Sequence, residues 1–330
     1  VVLGALAALA LLVVIAFSVG RLPVSAGELA SLLWAKLTGT EHGLDPTIET
    51  VILNIRGPRV AAALLMGAAL AAAGAAYQNL FRNPLVSPDI LGVSAGAAVG
   101  AVLGIFFSLS VIMIQSLAFV FGLCAVALVY LTANAVRGHD PLLVLVLAGV
   151  VVGSLLGACV ALMKYLADPY NQLPAITFWL LGSLASASPE VIGSTLPFML
   201  LGLAPMWLLR WRINVLSLDD EEARALGVET GRMRLVVIVA ATLMTSAAVA
   251  ISGVIGWIGL VIPHFARLLV GPDFSRLLPT SILLGAAFLL GVDTLARTVA
   301  RIEIPLGVLT AFVGTPLFLW QLATARRGWQ

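Results

Sequence analysis

Long apolar runs, interrupted by short joints that carry the charges, prolines and turn residues, recur along the whole chain. Each run approaches the ~20 residues that an α-helix needs to cross the hydrocarbon core of a bilayer. Ten such spans are predicted, over residues 1–20, 60–80, 90–107, 112–136, 142–166, 191–209, 235–251, 254–269, 277–296 and 305–322. The seventh and eighth are separated only by Ser252 and Gly253 and read almost as one long helix. The first also resembles the apolar core of a cleaved signal peptide, but about 20 residues is long for such a core, so a retained helix is expected. The predicted fold is an all-α polytopic membrane protein, a single transmembrane domain over 1–330 with longer polar segments at 21–55 and 210–234.

Composition narrows the class. Apolar residues make up 61% of the 330 and charged residues only 10%, against roughly 25% charged in an average soluble protein. With mean hydropathy at +1.10, soluble enzymes, nucleic-acid modules and disordered chains are excluded. The net charge of +2 is too small to imply a polyanionic partner such as nucleic acid. Cys124 and Cys159 both sit inside apolar runs, which argues against a disulfide framework or a thiolate metal site.

An even number of spans places both termini on one side, and the positive-inside bias selects that side. Eleven basic residues fall with the C-terminus, Arg82, Arg137, Arg326 and Arg327 among them. Seven fall opposite, including Arg21, and acids such as Glu41 are dispersed between them. Both termini are therefore expected in the cytoplasm, with 21–55 on the outer side. In that segment Ser25 followed by Glu28 forms a capping box. It opens a short helix bearing Leu29, Leu32, Leu33 and Trp34, expected to lie flat at the membrane interface.

Within the spans the most regular pattern is a four-residue glycine ladder: Gly92, Gly96, Gly100 and Gly104, then Gly149, Gly153 and Gly157. Residues four apart share a helix face, so these are read as packing seams, with a glycine-lined conduit as the functional alternative. Ionisable groups are sparse. Asp293 is the deepest, and pairing with Arg297 one turn on accounts for it better than an ion-coupling role. Gly74 and Pro84 are ten apart, as are Gly253 and Pro263, a weak echo between two five-helix halves that would have to be inverted repeats.

The only two lysines, Lys36 and Lys164, follow no glycine-rich turn, so the chain has no phosphate-binding loop and is no ATPase. The acidic run Asp219, Asp220, Glu221, Glu222 raises a membrane-embedded prenyltransferase as an alternative, but no second acidic cluster is present to share the metal. A structural account is simpler. Ser217 would act as N-cap, the acids would fill the first turn, Leu218, Ala225 and Leu226 would be its apolar positions, and Gly227 would stop the helix.

The stretch Gln78, Asn79, Leu80, Phe81, Arg82, Asn83, Pro84, Leu85, followed by Pro88, Leu91, Gly92, Val93 and Gly96, resembles the signature of permeases in ABC importers for iron-siderophore, haem and cobalamin. Three further blocks agree: RGPR at 56–59, GWIGLVIPH at 256–264 with Pro263, His264 and then Arg267, and PLGVLTAFVGTP at 305–316. The similarity covers essentially the whole chain in order. It implies a ten-span subunit working with a second copy of itself, two ATP-binding subunits that hold ATP and magnesium, and a periplasmic substrate-binding protein. This chain itself would bind no cofactor.

The resemblance also implies roles for particular residues. The segment 210–234, with Ser217, Leu218, Asp219, Asp220, Ala225, Leu226 and Gly227, corresponds to the coupling helix that enters the ATPase. The fifth and tenth spans would line the pathway with Gly149, Gly153 and Gly157 on one and Gly307, Thr310 and Gly314 on the other. No fixed iron ligand is expected there, because no His, Cys or carboxylate cluster lies in the spans. Arg56, Arg59 and Arg297 would form a basic edge that receives acids of the binding protein. Arg56 and Arg59 are three apart and share a helix face, with Pro58 suited to the first turn. Arg82 tilts the expected cargo toward an iron complex, haem or ferric siderophore, because the cobalamin permease carries an acid at that position. Cobalamin import and an ion-coupled secondary carrier remain the alternatives.

Overall fold

Helices fill the described chain, residues 2–20, 22–40, 43–136 and 140–325 of the computed structural model, and those residues contain no strand. Val1, Arg21, Glu41, Arg137, Arg326 and Arg327, used above for the span edges and the charge balance, lie outside them. In chain order the helices are α1 (Val2–Ser18), α2 (Ala26–Thr38), α3 (Pro46–Thr50), a π-helical turn Val51–Arg56, and α4 (Gly57–Leu80). A 3-10 turn Pro88–Leu91 precedes α5 (Val93–Phe106), followed by α6 (Val111–Ala135), α7 (Pro141–Leu166) and α8 (Gln172–Leu181). Then come α9 (Pro189–Leu208), α10 (Arg210–Val215), α11 (Asp220–Ala225), α12 (Thr230–Ser252), α13 (Ile258–Val270), α14 (Phe274–Thr298) and α15 (Leu306–Ala325).

Ten of these occupy the predicted spans: α1, α4, α5, α6, α7, α9, α12, α13, α14 and α15. By length and composition six described segments can cross a membrane unaided, Pro46–Leu80, Val111–Ala135, Pro141–Leu166, Pro189–Leu208, Thr230–Ser252 and Phe274–Thr298. The other four are shorter apolar helices. The eighth span begins at Ile258, not 254, and has only 13 residues, or ~20 Å of helix. The reason is Gly253: its φ of +68 ends α12 and turns the chain into an irregular stretch through Trp257. Hydropathy also missed α8, a ten-residue apolar helix too short to register as a span.

The centre is α4, whose run from Ala69 to Leu80 is buried without a break. Alanine and glycine make this possible, since small residues let neighbouring backbones close in and van der Waals contact replaces the missing hydrophobic drive between helices in lipid. A Cβ on Gly67 would enter the backbone of Gly285 on α14, and one on Gly74 would enter that of Gly259 on α13. Pro263 has no N-H to give the Gly259 carbonyl four residues back, and Gly74 faces that freed oxygen. Gly74 and Gly253 both sit where a Cβ would strike a neighbouring backbone, Gly259 and Trp179 respectively, but only Gly253 also turns the chain, at φ +68.

The first glycine ladder is a seam, as expected. Gly96, Gly100 and Gly104 abut Phe121, Leu117 and Ile114 of α6. Gly92 stands apart with φ +77 at the turn into α5. The second ladder splits. Gly149 packs on the Ile90 carbonyl, whereas Gly153 and Gly157 meet nothing. On α2 the capping box is formed, with the Ser25 hydroxyl accepting from the Glu28 N-H and the Ser25 N-H donating to the Glu28 carboxylate at 2.7 Å. That helix buries Leu29 and Leu32 and leaves Leu33 and Trp34 exposed.

Candidate functional site

Two charged clusters lie at opposite ends of α4. At its start, the π-helical turn carries Arg56 back toward α1, where its guanidinium donates to the carbonyls of Phe17 and Leu22. Arg297 at the end of α14 adds a bond to the Ala16 carbonyl at 3.2 Å. The last carbonyls of a helix have no partner within it and carry partial negative charge, so two arginines cap the C-terminus of α1. Gly20 leaves the room, since a Cβ there would strike the Arg56 guanidinium. Arg56 is consequently only 5% exposed.

Arg59 sits one turn further, with Pro58 in the first turn of α4 as expected. It donates through Nε and Nη2 to Asp293 at 2.9 and 2.8 Å, and through Nη1 to Glu303 at 3.0 Å. Arg297 donates to the other Asp293 oxygen at 3.2 Å. Asp293 is fully buried and therefore satisfied from two sides, by the Arg297 that sequence spacing suggested and by Arg59, which it did not. Glu303 lies in the connection from α14 to α15, where it also accepts from the Ser183 hydroxyl at 3.4 Å. Burial pushes its carboxyl up, but hydrogen bonds and the charge of Arg59 outweigh that and hold it below the ordinary carboxylate range. The expected basic edge is largely buried. Arg56 is an internal cap, and Arg59 and Arg297 are engaged with carboxylates in the chain itself.

At the far end of α4 the signature residues bind the polar segment that follows α9 and, through Gln78, α13. Asn79 donates to the Ile213 carbonyl at 2.6 Å, and Gln78 to that of Leu260 at 3.0 Å. Arg82, at φ +50, donates to the Leu216 carbonyl at 3.2 Å and to Asp219 at 2.7 Å and Asp220 at 3.3 Å. Arg234 meets the same Asp220 at 2.6 Å. The Asn83 carboxamide accepts from Leu85 N-H at 2.9 Å and shapes the turn through Pro84. His264 is buried against Phe318, ring centroids 6.5 Å apart.

A short helix is present in the expected segment but begins later. Asp219 precedes α11, while Ser217 donates its hydroxyl to Asn214 at 2.7 Å and belongs to the end of α10. The signal that misled is the separate six-residue helix α10, whose last turn takes up Ser217. Gly227 closes the helix as predicted, at φ +79 with its N-H on the Arg224 carbonyl. Leu218, Ala225 and Leu226 face outward, Leu226 at 52% exposure, while Ala223 is the buried anchor. Arg82 thus serves this segment.

The predicted pathway glycines fall in two places. α7 packs on α5, α6 and the Pro88–Leu91 turn, and α15 on α8, α13 and α14, so the two sets form no shared wall within one chain. On α15, Thr310 is buried with its hydroxyl on the Gly307 carbonyl at 3.1 Å. Gly307 borders a cavity of about 700 Å³ lined also by Leu181, Val254, Trp257 and Phe312. Trp257 was missed by sequence reasoning. It holds a left-handed φ of +72, its side chain fills the space over Gly314, and its ring meets Phe318 edge-on at 6.3 Å. Among the described residues no three His, Cys, Asp or Glu side chains gather as a metal site.

A many-helix bundle with a small-residue core, no phosphate-binding loop and a polar segment tied to its central helix defines a membrane permease. The chain belongs to the FecCD transport family, whose family model matches residues 8–324. The molybdate import system permease protein MolB of Haemophilus influenzae is 42% identical over 316 residues, 96% of this chain and 93% of that protein. The hemin transport system permease protein HmuU of Yersinia pestis is 42% identical over 284 residues, 83% of each. A solved inward-facing ABC transporter of metal-chelate type superposes with a TM-score of 0.88 at 38% identity, over 98% of both chains. The protein is accordingly a permease subunit of an ABC transporter of this family.

Proposed function

We propose that two copies of this chain form the membrane channel of an ATP-driven importer that carries an iron complex, haem or ferric siderophore, from periplasm to cytoplasm. Two ATP-binding subunits engage the Arg82 end, and a periplasmic binding protein docks at the Arg59 end. Both termini lie in the cytoplasm, as the positive-inside bias favours. The observation that carries this reading is the attachment of the 210–226 segment to the central helix, through Asn79 to Ile213 and Arg82 to Asp219 and Asp220. With Leu218 and Leu226 facing outward, that segment can take a push from a partner and pass it into α4. Pairing of two copies would bring the open Gly153 and Gly157 face of α7 into the same conduit as Gly307, whereas Gly314 lies behind Trp257. Such a wide apolar surface leaves the metal with its chelator.

Reconstitution in liposomes with the ATPase and binding protein tests this. Uptake should need ATP and survive collapse of ion gradients; uptake that follows an ion gradient without ATP would replace this reading with a secondary carrier. Labelled haem, ferric siderophore, cobalamin and molybdate compete in the same assay, with one of the two iron complexes expected to be carried. Molybdate is the second reading, favoured by the full-length similarity to the molybdate permease. Coupling is tested by Gly227→Val. No atom blocks a Cβ at this position, so the variant acts through the left-handed backbone alone. A β-branched residue there costs about 1–2 kcal/mol or more, and ATP-driven uptake should fall about tenfold. Unchanged uptake would remove the loop from the coupling path.

A further inference from the structure

We propose that Glu303 is a displaceable internal stand-in for the carboxylate of the docking partner, and that replacing it on Arg59 releases the start of α15. The proposal rests on the docking reading above. The two carboxylates on Arg59 are unlike each other. Asp293 has a fully buried side chain, sits inside α14 and also holds Arg297, so it is fixed. Glu303 lies in the loop after α14 with its side chain 33% exposed. Glu303 is the more exposed of the two, so its side is the open approach to Arg59. Arg59 and Arg297 share the two carboxylates, and the Arg56 guanidinium, held on the carbonyls of Phe17 and Leu22 within electrostatic reach of Arg297, adds a further positive charge that attracts an acidic partner.

Glu303 is also the member joined to moving parts. Three residues after it, the Leu306 N-H donates to the Gly182 carbonyl at 3.0 Å, and its neighbour Gly307 packs against the carbonyls of Leu181 and Val254. Ser183, which donates to Glu303, donates its own N-H to the Ser252 carbonyl at 2.8 Å. The Glu303 ion pair thus adjoins three segments, 182–183, 252–254 and 303–307, that backbone bonds join to one another, and Val254 and Gly307 of these segments, with Leu181 beside them, wall the cavity of about 700 Å³. Exchange of Glu303 for a partner's carboxylate keeps Arg59 neutralised while freeing that wall. No buried charge is stranded in the exchange, which would otherwise be strongly opposed.

Glu303→Gln keeps the shape and removes the competing charge. In nanodisc complexes with the binding protein that stimulates uptake, its affinity should rise about tenfold, with the gain shrinking at high salt. In a Cys124→Ala, Cys159→Ala background, Phe312→Cys on the cavity wall should react with a polar maleimide several-fold faster when Glu303→Gln is present, without any binding protein. Glu303→Asp should restore the wild-type rate. Arg59→Gln is the reference variant, because Arg59→Glu would put another carboxylate beside buried Asp293. Lost affinity in Arg59→Gln with unchanged affinity and labelling in Glu303→Gln overturns the stand-in and leaves docking at Arg59 intact. Unchanged affinity in Arg59→Gln overturns both.

Discussion

The two ends of α4 both carry arginine bound to a pair of acids, yet burial makes them different devices. At the Arg59 end the Asp293 side chain has no exposure and Arg59 and Arg297 each retain 12%. At the Arg82 end Asp219 is 83% exposed and Arg82 31%. Charges shielded from water interact strongly and leave a large penalty when one partner is lost, whereas exposed pairs are worth ~0–1 kcal/mol each. The first cluster is therefore a clamp that sets where α1, α4, α14 and α15 meet. The second is a light tether on the 210–226 segment.

The sharpest way to break this contrast is Asp293→Asn. It leaves Arg59 and Arg297 buried with only Glu303 to balance them, a loss expected at about 3–5 kcal/mol. A fall in the detergent thermal midpoint well beyond that of any single change at the Arg82 end would confirm the difference, and an equal fall would erase it. Next in size is Asn79→Ala. The Ile213 carbonyl is buried and receives its bond from the Asn79 side chain at 2.6 Å, so an orphaned acceptor should cost roughly 1–3 kcal/mol. Because that bond ties the polar segment to the core, limited proteolysis within 210–226 should accelerate in parallel with the stability loss.

What could be read from the sequence follows the same division between repetitive and long-range information. The helices that fill the spans were legible because twenty apolar residues leave the backbone no alternative to a helix in lipid. The seam of Gly96, Gly100 and Gly104 was legible because its period is local. By contrast, the start of α13 was not, because Ser252 and Gly253 are as compatible with an unbroken helix as with a turn, and only φ +68 decides. Arg59 and Asp293 are 234 residues apart, and nothing in their spacing announces the pair. Ser217 looked like a cap because Ser before acids is a strong local signal; the competing helix α10 took it instead.

A smaller effect separates the clamp from its replaceable member. The Glu303 carboxyl lies below its ordinary value of 4.5 because Arg59 outweighs the desolvation it suffers. A depressed folded pKa contributes stability that is fully present above the unfolded value and is lost as pH falls through the folded one. The thermal midpoint of the wild type should therefore drop on acidification below about pH 4.5, and Glu303→Gln should lack that component of the drop. Identical acid profiles for the two would mean that Glu303 has no net favourable pairing with Arg59.

The smallest expected change is Arg82→Gly, and it separates tethering from stability. Removing the guanidinium deletes two exposed ion pairs and the bond to the Leu216 carbonyl. Against that, φ +50 is a conformation that glycine adopts freely and arginine does not. The two effects oppose each other at about 1 kcal/mol each, so the thermal midpoint should scarcely move. Transport should still suffer, because Asp219 and Asp220 would lose their bond to the end of α4, although Asp220 keeps Arg234. The expected result is several-fold slower ATP-driven uptake by a protein of normal stability. Loss of stability without loss of coupling would reverse the assignment and make Arg82 a clamp like Arg59.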